Sequence, residues 1–308
     1  MKTEEVPIVT MFIKTVFLLF AVFLTTSNLS AQSHWQMTGE LIIKGLDYGT
    51  KLSRIVHSSS GIIYALDSEG NRLLKISSDG ELQNWIGGFG WSDEQFDLPS
   101  DIWVTGLDIF IADQNNHRIQ RYDIELNFIS SLEGVSEETG IIDFEYPTAV
   151  AQSSRGDFYV ADPVNGQLLK YSSEGDFLLK FGGLGYSEGR LIEPVSIGIT
   201  GNETVVVADR ERNLIILFDE FGNYINSAGE GLFSDILAVA ITKANQIVVL
   251  DGDSKIIYLF SENMNEYSVI DISEVSDRFV QPVDISVINE KIFILDSDTQ
   301  TLLQFELR

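Results

Sequence analysis

Six aspartates sit at the ends of short apolar runs, and carboxylates in such numbers invite a metal or acid–base reading. They are Asp67 after Tyr64-Ala65-Leu66, Asp113 after Ile111-Ala112, Asp162 after Tyr159-Val160-Ala161, Asp209 after Val206-Val207-Ala208, Asp251 after Val248-Val249-Leu250 and Asp296 after Phe293-Ile294-Leu295. A residue present once in every unit answers a need of every unit, however. An Asp leaving a strand accepts backbone N–H bonds and holds the turn that follows, so these six are expected to be structural. Chemistry peculiar to this chain has to come from positions where the units differ. Each unit carries a proline ahead of its first strand (Pro99, Pro147, Pro194, Pro282), with Leu52 and Ile236 standing in its place in two of them. Two residues beyond that position the side chains run Arg54, Asp101, Ala149, Ser196, Ala238 and Asp284. If the units close into a ring, Arg54 falls between Asp101 and Asp284. One cation between two anions makes this trio the candidate for an asymmetric polar site.

Other chemistries find less support. Cysteine is absent, which removes thiolate nucleophiles, Cys-ligated zinc and disulfides together. Three histidines, His34, His57 and His117, are too few for a histidine-rich metal centre. Calcium needs only oxygen ligands, and Asp101 with Asp284 would supply some, but Arg54 between them opposes a cation. No Gly-x-Ser-x-Gly elbow occurs. The Gly-rich stretches at residues 87–90 and 182–185 lack the Gly-Lys-Ser/Thr of a phosphate cradle. Beside them stand Phe89, Trp91 and Tyr186, aromatics on adjoining loops that would suit a peptide or glycan surface. A formal charge of −26 repels phosphate backbones, so nucleic acid is not an expected partner.

The elements that must carry these residues follow from the spacing. The six anchor aspartates lie 46, 49, 47, 42 and 45 residues apart, the length of a four-stranded propeller blade. Within a unit, one strand follows the proline, a second ends at the aspartate, and a third is apolar, as in Arg72-Leu73-Leu74-Lys75-Ile76. A fourth is announced by a hairpin signal such as Asp79-Gly80. Helix-period patterns and caps are lacking. Phe96, Phe144, Leu191, Phe233 and Phe279 each fall three residues before the proline position and are expected between blades. The sixth unit stops one strand short, and residues 39–45 align with the fourth strand at residues 175–181. The expectation is an all-β, six-bladed β-propeller of four-stranded blades, its ring closed by an N-terminal strand that completes the last blade.

Ala112-Asp113-Gln114-Asn115-Asn116-His117-Arg118-Ile119-Gln120-Arg121-Tyr122, with the connectors at residues 89–99 and 181–186, resembles the NHL repeat. The resemblance extends over residues 39–308, is strongest in the second and third units, and is weakest in the fifth, which lacks the proline and has a short connector. It implies a six-bladed propeller and leaves the activity open. Some members bind proteins or RNA, some are extracytoplasmic modules, and relatives of the same shape include metal-dependent lyases and lactonases.

Ahead of the repeats, Lys14 precedes an apolar run over residues 16–24 and then a small polar stretch, the pattern of a secretory signal peptide. The run is shorter than the roughly 20 apolar residues of a spanning helix, so no stable membrane anchor is expected. Cleavage is expected after Ala31, with Ser27 as the other position, and Glu4 and Glu5 point to a start at Met11. Residues 32–38 then form a short lead, and residues 39–308 a single domain. The expected protein is an extracytoplasmic monomer, periplasmic or secreted. It would bind a protein, peptide or glycan without catalysing a reaction; the alternative is a calcium-dependent hydrolase with its site in the central channel.

Overall fold

The computed structural model describes residues 35–134, 143–185, 188–273 and 279–307. Its strands form six four-stranded antiparallel sheets. The first blade holds β2 (Arg54–His57), β3 (Ile63–Asp67), β4 (Arg72–Ile76) and β5 (Leu82–Gly87), and the second β6 (Pro99–Thr105), β7 (Asp108–Asp113), β8 (Arg118–Asp123) and β9 (Phe128–Glu133). The third runs through β10 (Ala149–Gln152), β11 (Phe158–Asp162), β12 (Gln167–Tyr171) and β13 (Phe177–Phe181), and the fourth through β14 (Pro194–Ile199), β15 (Val205–Asp209), β16 (Leu214–Phe218) and β17 (Tyr224–Ala228). The fifth comprises β18 (Ile236–Ile241), β19 (Ile247–Asp251), β20 (Ile256–Phe260) and β21 (Tyr267–Asp271). The sixth combines β22 (Pro282–Ile288), β23 (Lys291–Asp296) and β24 (Thr301–Leu307) with the N-terminal β1 (Trp35–Ile42). Inner strands touch in the cycle β2, β6, β10, β14, β18, β22 and back to β2, so the blades form a closed ring. Among the described residues the single helical element is a 3₁₀ turn, Gln114–Asn116, and no helix is long and apolar enough to cross a membrane. Residues 1–31, expected to be the leader, lie outside the described residues.

Apolar β-branched side chains make these strands, and the core lies in the seams between blades. Strands β3, β11, β15 and β19 are buried at every position, as strands covered on both faces must be. Phe96, Phe144, Leu191, Phe233 and Phe279 are all buried in the seams, as their recurrence suggested.

Closure agrees with expectation in kind and differs in its start. Strand β1 begins at Trp35, four residues before Gly39, and runs antiparallel to β24 from Trp35 opposite Leu307 to Ile42 opposite Thr301, with a bulge between Met37 and Gly39. Residues 35–38 are therefore part of the blade rather than a lead. The physical reason is Trp35, which is buried with Phe279 and Phe305; the bulge shifts the pairing register, which obscures an alternation read from sequence. Past β1 the chain crosses to the first blade: Lys44 N–H donates to the Gly80 carbonyl at 2.8 Å and Leu82 N–H to the Lys44 carbonyl at 3.1 Å. Gly80 has φ +88, and a Cβ there would stand 2.6 Å from the Ile42 carbonyl oxygen, so this turn requires glycine.

Candidate functional site

The anchor aspartates do what a repeated residue should, and more. Each is buried. Asp296 accepts the N–H groups of Asp298 and Thr299 in its own turn and of Val280 and Gln281 in the connector entering its blade. Asp209 holds Arg212 N–H in its turn and Ile192 N–H in its connector in the same way. One carboxylate thus ties a turn to the adjacent connector, and both lie on one face of the ring.

The second blade carries the most developed version. Asp113 accepts from Asp97 N–H at 2.8 Å and from the side chains of Asn116, Arg118 and Gln120 at 2.8–3.0 Å. Arg118, with 7% of its side chain exposed, also donates to the carbonyls of Trp91, Ser92 and Gln95 at 2.9–3.0 Å. A buried guanidinium therefore clamps the connector from inside, and Phe89 and Trp91 stand on it 68% and 69% exposed. Large apolar groups continue along this face at Tyr48, Leu98, Tyr146, Leu184 and Ile192, and Tyr146 packs against the His117 ring at 4.4 Å. Tyr186 lies outside the described residues.

Arg54, Asp101 and Asp284 come together at the start of the inner strands. Arg54 Nε is 3.9 Å from Asp101 Oδ1, and its Nη1 donates to the Ser53 carbonyl at 3.1 Å. The carboxylates have a further role: Asp284 accepts Ile55 N–H at 2.7 Å and Asp101 accepts Val150 N–H at 2.9 Å, each from the next blade, as Ser196 Oγ accepts from Val239 N–H. Below them an axial cavity of about 290 Å³ is lined by Asp101, Trp103, Ser196, Asp284, Ser286 and His57, among aliphatic inner-strand residues. Burial raises the Asp101 carboxyl to about 7 and Asp284 to about 6, against the opposing pull of Arg54. Burial also lowers His57 to about 4; its Nδ1 lies 3.0 Å from Ser286 Oγ and its ring 4.3 Å from Phe293. Among the described residues no three His, Asp or Glu side chains converge to hold a metal ion. Sequence reasoning passed over Trp103, Ser286 and the Arg118 clamp. The clamp had a signal, since only the first two units place Arg five residues after the anchor aspartate, at Arg72 and Arg118.

These ionisations give a pH dependence with a definite sign. Asp101 and Asp284 ionise near 3.8 when unfolded but near 7 and 6 when folded. Between those values the folded state holds protons that the unfolded chain has released, and stability falls as pH rises across the window. His57 acts in reverse, its contribution being lost as pH drops from about 6.5 to about 4. Combining Asp101→Asn with Asp284→Asn isolates the carboxyls. The melting temperature of that variant minus that of the wild type should rise between about pH 4.5 and 7.5, by an amount corresponding to a few kcal/mol. A difference independent of pH would show that burial does not govern these groups.

No family model matches the chain. Over 147 residues it is 30% identical to protein brain tumor of Drosophila melanogaster, covering 47% of this chain and 14% of that protein. It is 31% identical over 143 residues to the B-box type zinc finger protein ncl-1 of Caenorhabditis elegans (46% and 16%) and 28% identical over 86 residues to NHL repeat-containing protein 2 of Bos taurus (26% and 12%). Its homologues are NHL-repeat proteins. The matched stretch spans less than a fifth of each of these longer relatives. In three dimensions the propeller is similar to a streptogramin B lyase (TM-score 0.62, 11% identity, 89% of this chain and 98% of that one). It is also similar to virginiamycin B lyase from Staphylococcus aureus (TM-score 0.63, 14% identity, 89% and 100%). At such identity the likeness is one of fold.

Proposed function

We propose that this NHL-type propeller is a non-enzymatic, extracytoplasmic module that docks a protein partner on its connector face, with Phe89 and Trp91 as the anchors. The observation that carries this reading is the Arg118 clamp, which fixes a connector whose two large aromatic side chains face solvent. An aromatic anchor held in place before binding loses little entropy on contact, which is how binding hot spots are made. The homologues support an interaction role. Exposed Asp93 and Glu94 follow Trp91 on the same connector, so the fitting partner presents an apolar side chain flanked by Lys or Arg. The leader-like residues 1–31 support the extracytoplasmic location, and N-terminal sequencing of the protein isolated from its native compartment tests it.

The docking test uses Phe89→Ala combined with Trp91→Ala. Both side chains are exposed, so the melting temperature should stay within about 2 °C of wild type, as for ordinary surface substitutions. Quantitative affinity capture should show at least one protein retained by the wild type and by a Phe177→Ala control. The double variant should lose it by thirtyfold or more in Kd, as two hot-spot truncations imply (about 2 kcal/mol or more). Equal retention by both proteins would overturn the reading.

A further inference from the structure

The axial cavity has no part in connector-face docking, yet it is built like a ligand site. Its wall comes from five inner strands, β2, β6, β14, β18 and β22. The third blade supplies none of the lining, and Trp103 packs against the buried cluster to which Ala149 and Ala151 belong. Trp103 also lines the cavity, and its indole N–H is buried without an acceptor among the described residues. Among the described residues the carboxylates on the wall are Asp101 and Asp284, and the cation near them is Arg54, 3.9 Å from Asp101. Each carboxylate spends one oxygen on the next blade's N–H. Arg54 and Asp101 keep 22% and 16% of their side chains exposed. Ser196 and Ser286 add hydroxyls to an otherwise aliphatic wall.

We propose that this cavity is a receptor site for a small organic cation, an ammonium group carrying an apolar body. The ammonium would sit inside the cavity against Asp101 and Asp284, which line it while Arg54 does not, and the body would lie against Trp103. That combination uses the charge, the aromatic surface and the aliphatic wall together. At about 30 Å³ per heavy atom, as in liquid water, the volume admits a body of about ten heavy atoms. Burial holds both carboxyls partly protonated near neutral pH, so uptake of a cation releases protons.

The probe is 2-phenylethylammonium, compared with 2-phenylethanol and 3-phenylpropionate by isothermal titration on the full chain. The ammonium should bind with Kd below about 1 mM, and the alcohol and carboxylate at least tenfold more weakly, a difference of about 1.4 kcal/mol. Asp101→Asn with Asp284→Asn keeps an acceptor oxygen for the Val150 and Ile55 N–H groups and should cost the ammonium tenfold or more. If that variant does not fold, the wild-type order among the three probes still decides. Equal affinity for all three, no binding at about 10 mM, or an unchanged Kd in the folded variant would overturn the proposal. The Phe89→Ala/Trp91→Ala protein should bind the ammonium like wild type, so failure here and failure of connector-face docking are read separately.

Discussion

A chain lacking residues 35–42 loses cooperative folding. Strand β1 is the outer strand of the sixth blade, and its residues pair along the length of β24. Without it Trp35, Met37 and Leu41 leave the seams they share with Phe305 and Leu302. Each such side chain is worth about 1.5–3 kcal/mol of burial, and the backbone groups of β24 become a bare edge. Their sum approaches the roughly 5–15 kcal/mol by which a folded domain is stable at all. Circular dichroism melts and gel filtration should show a broad transition and self-association. A monomer melting cooperatively within about 5 °C of wild type would mean that the ring closes without its N-terminal strand. Deleting only through Gln36 should also be costly, by about 3–5 kcal/mol, because it takes Trp35 with it.

Arg118→Ala is the single substitution with the largest expected effect. It leaves Asp113 buried with its cation gone and the Trp91 and Ser92 carbonyls without that donor, while the Gln95 carbonyl keeps Gln120. Removing one partner of a buried pair costs about 3–5 kcal/mol. A domain of this size loses about 2–4 °C per kcal/mol, so the melting temperature should fall by about 6–20 °C. Arg118→Lys should recover little of this, since one ammonium cannot replace a planar fork that reaches a carboxylate and three carbonyls. The equivalent position in the third blade holds Gln167, which among the described residues donates to Asp162 alone, and Gln167→Ala should cost much less. Comparable losses at Arg118 and Gln167 would show that the clamp adds nothing beyond holding its anchor aspartate.

The ring was legible because a blade must repeat its solution. Aspartates that turn strands, prolines that start them and aromatics that fill seams recur at one period, and a period survives local irregularity. The β1 boundary was not legible, since a single bulge moved Trp35 onto an unexpected partner. Arg54, Asp101 and Asp284 could be grouped from sequence because a ring makes neighbours of the first and last units. Their second task, accepting N–H groups from the next blade, depends on side-chain direction, which spacing does not report. Trp103 was missed for a similar reason: it reads as a strand aromatic, and spacing does not report that it lines the axial cavity.

The inter-blade acceptors occur on alternate inner strands: Asp101 to Val150, Ser196 to Val239 and Asp284 to Ile55. These inner-strand bonds couple the second blade to the third, the fourth to the fifth and the sixth to the first, while other side chains cross the seams between couples, as Ser68 Oγ does to the Pro99 carbonyl and Thr148 Oγ1 to the Pro194 carbonyl. Splicing one extra blade into this chain would set two acceptors or two non-acceptors side by side and break the alternation. Splicing in a couple would keep the alternation. Circular permutants and lengthened rings built on this scaffold should accordingly tolerate changes in steps of two blades and resist steps of one.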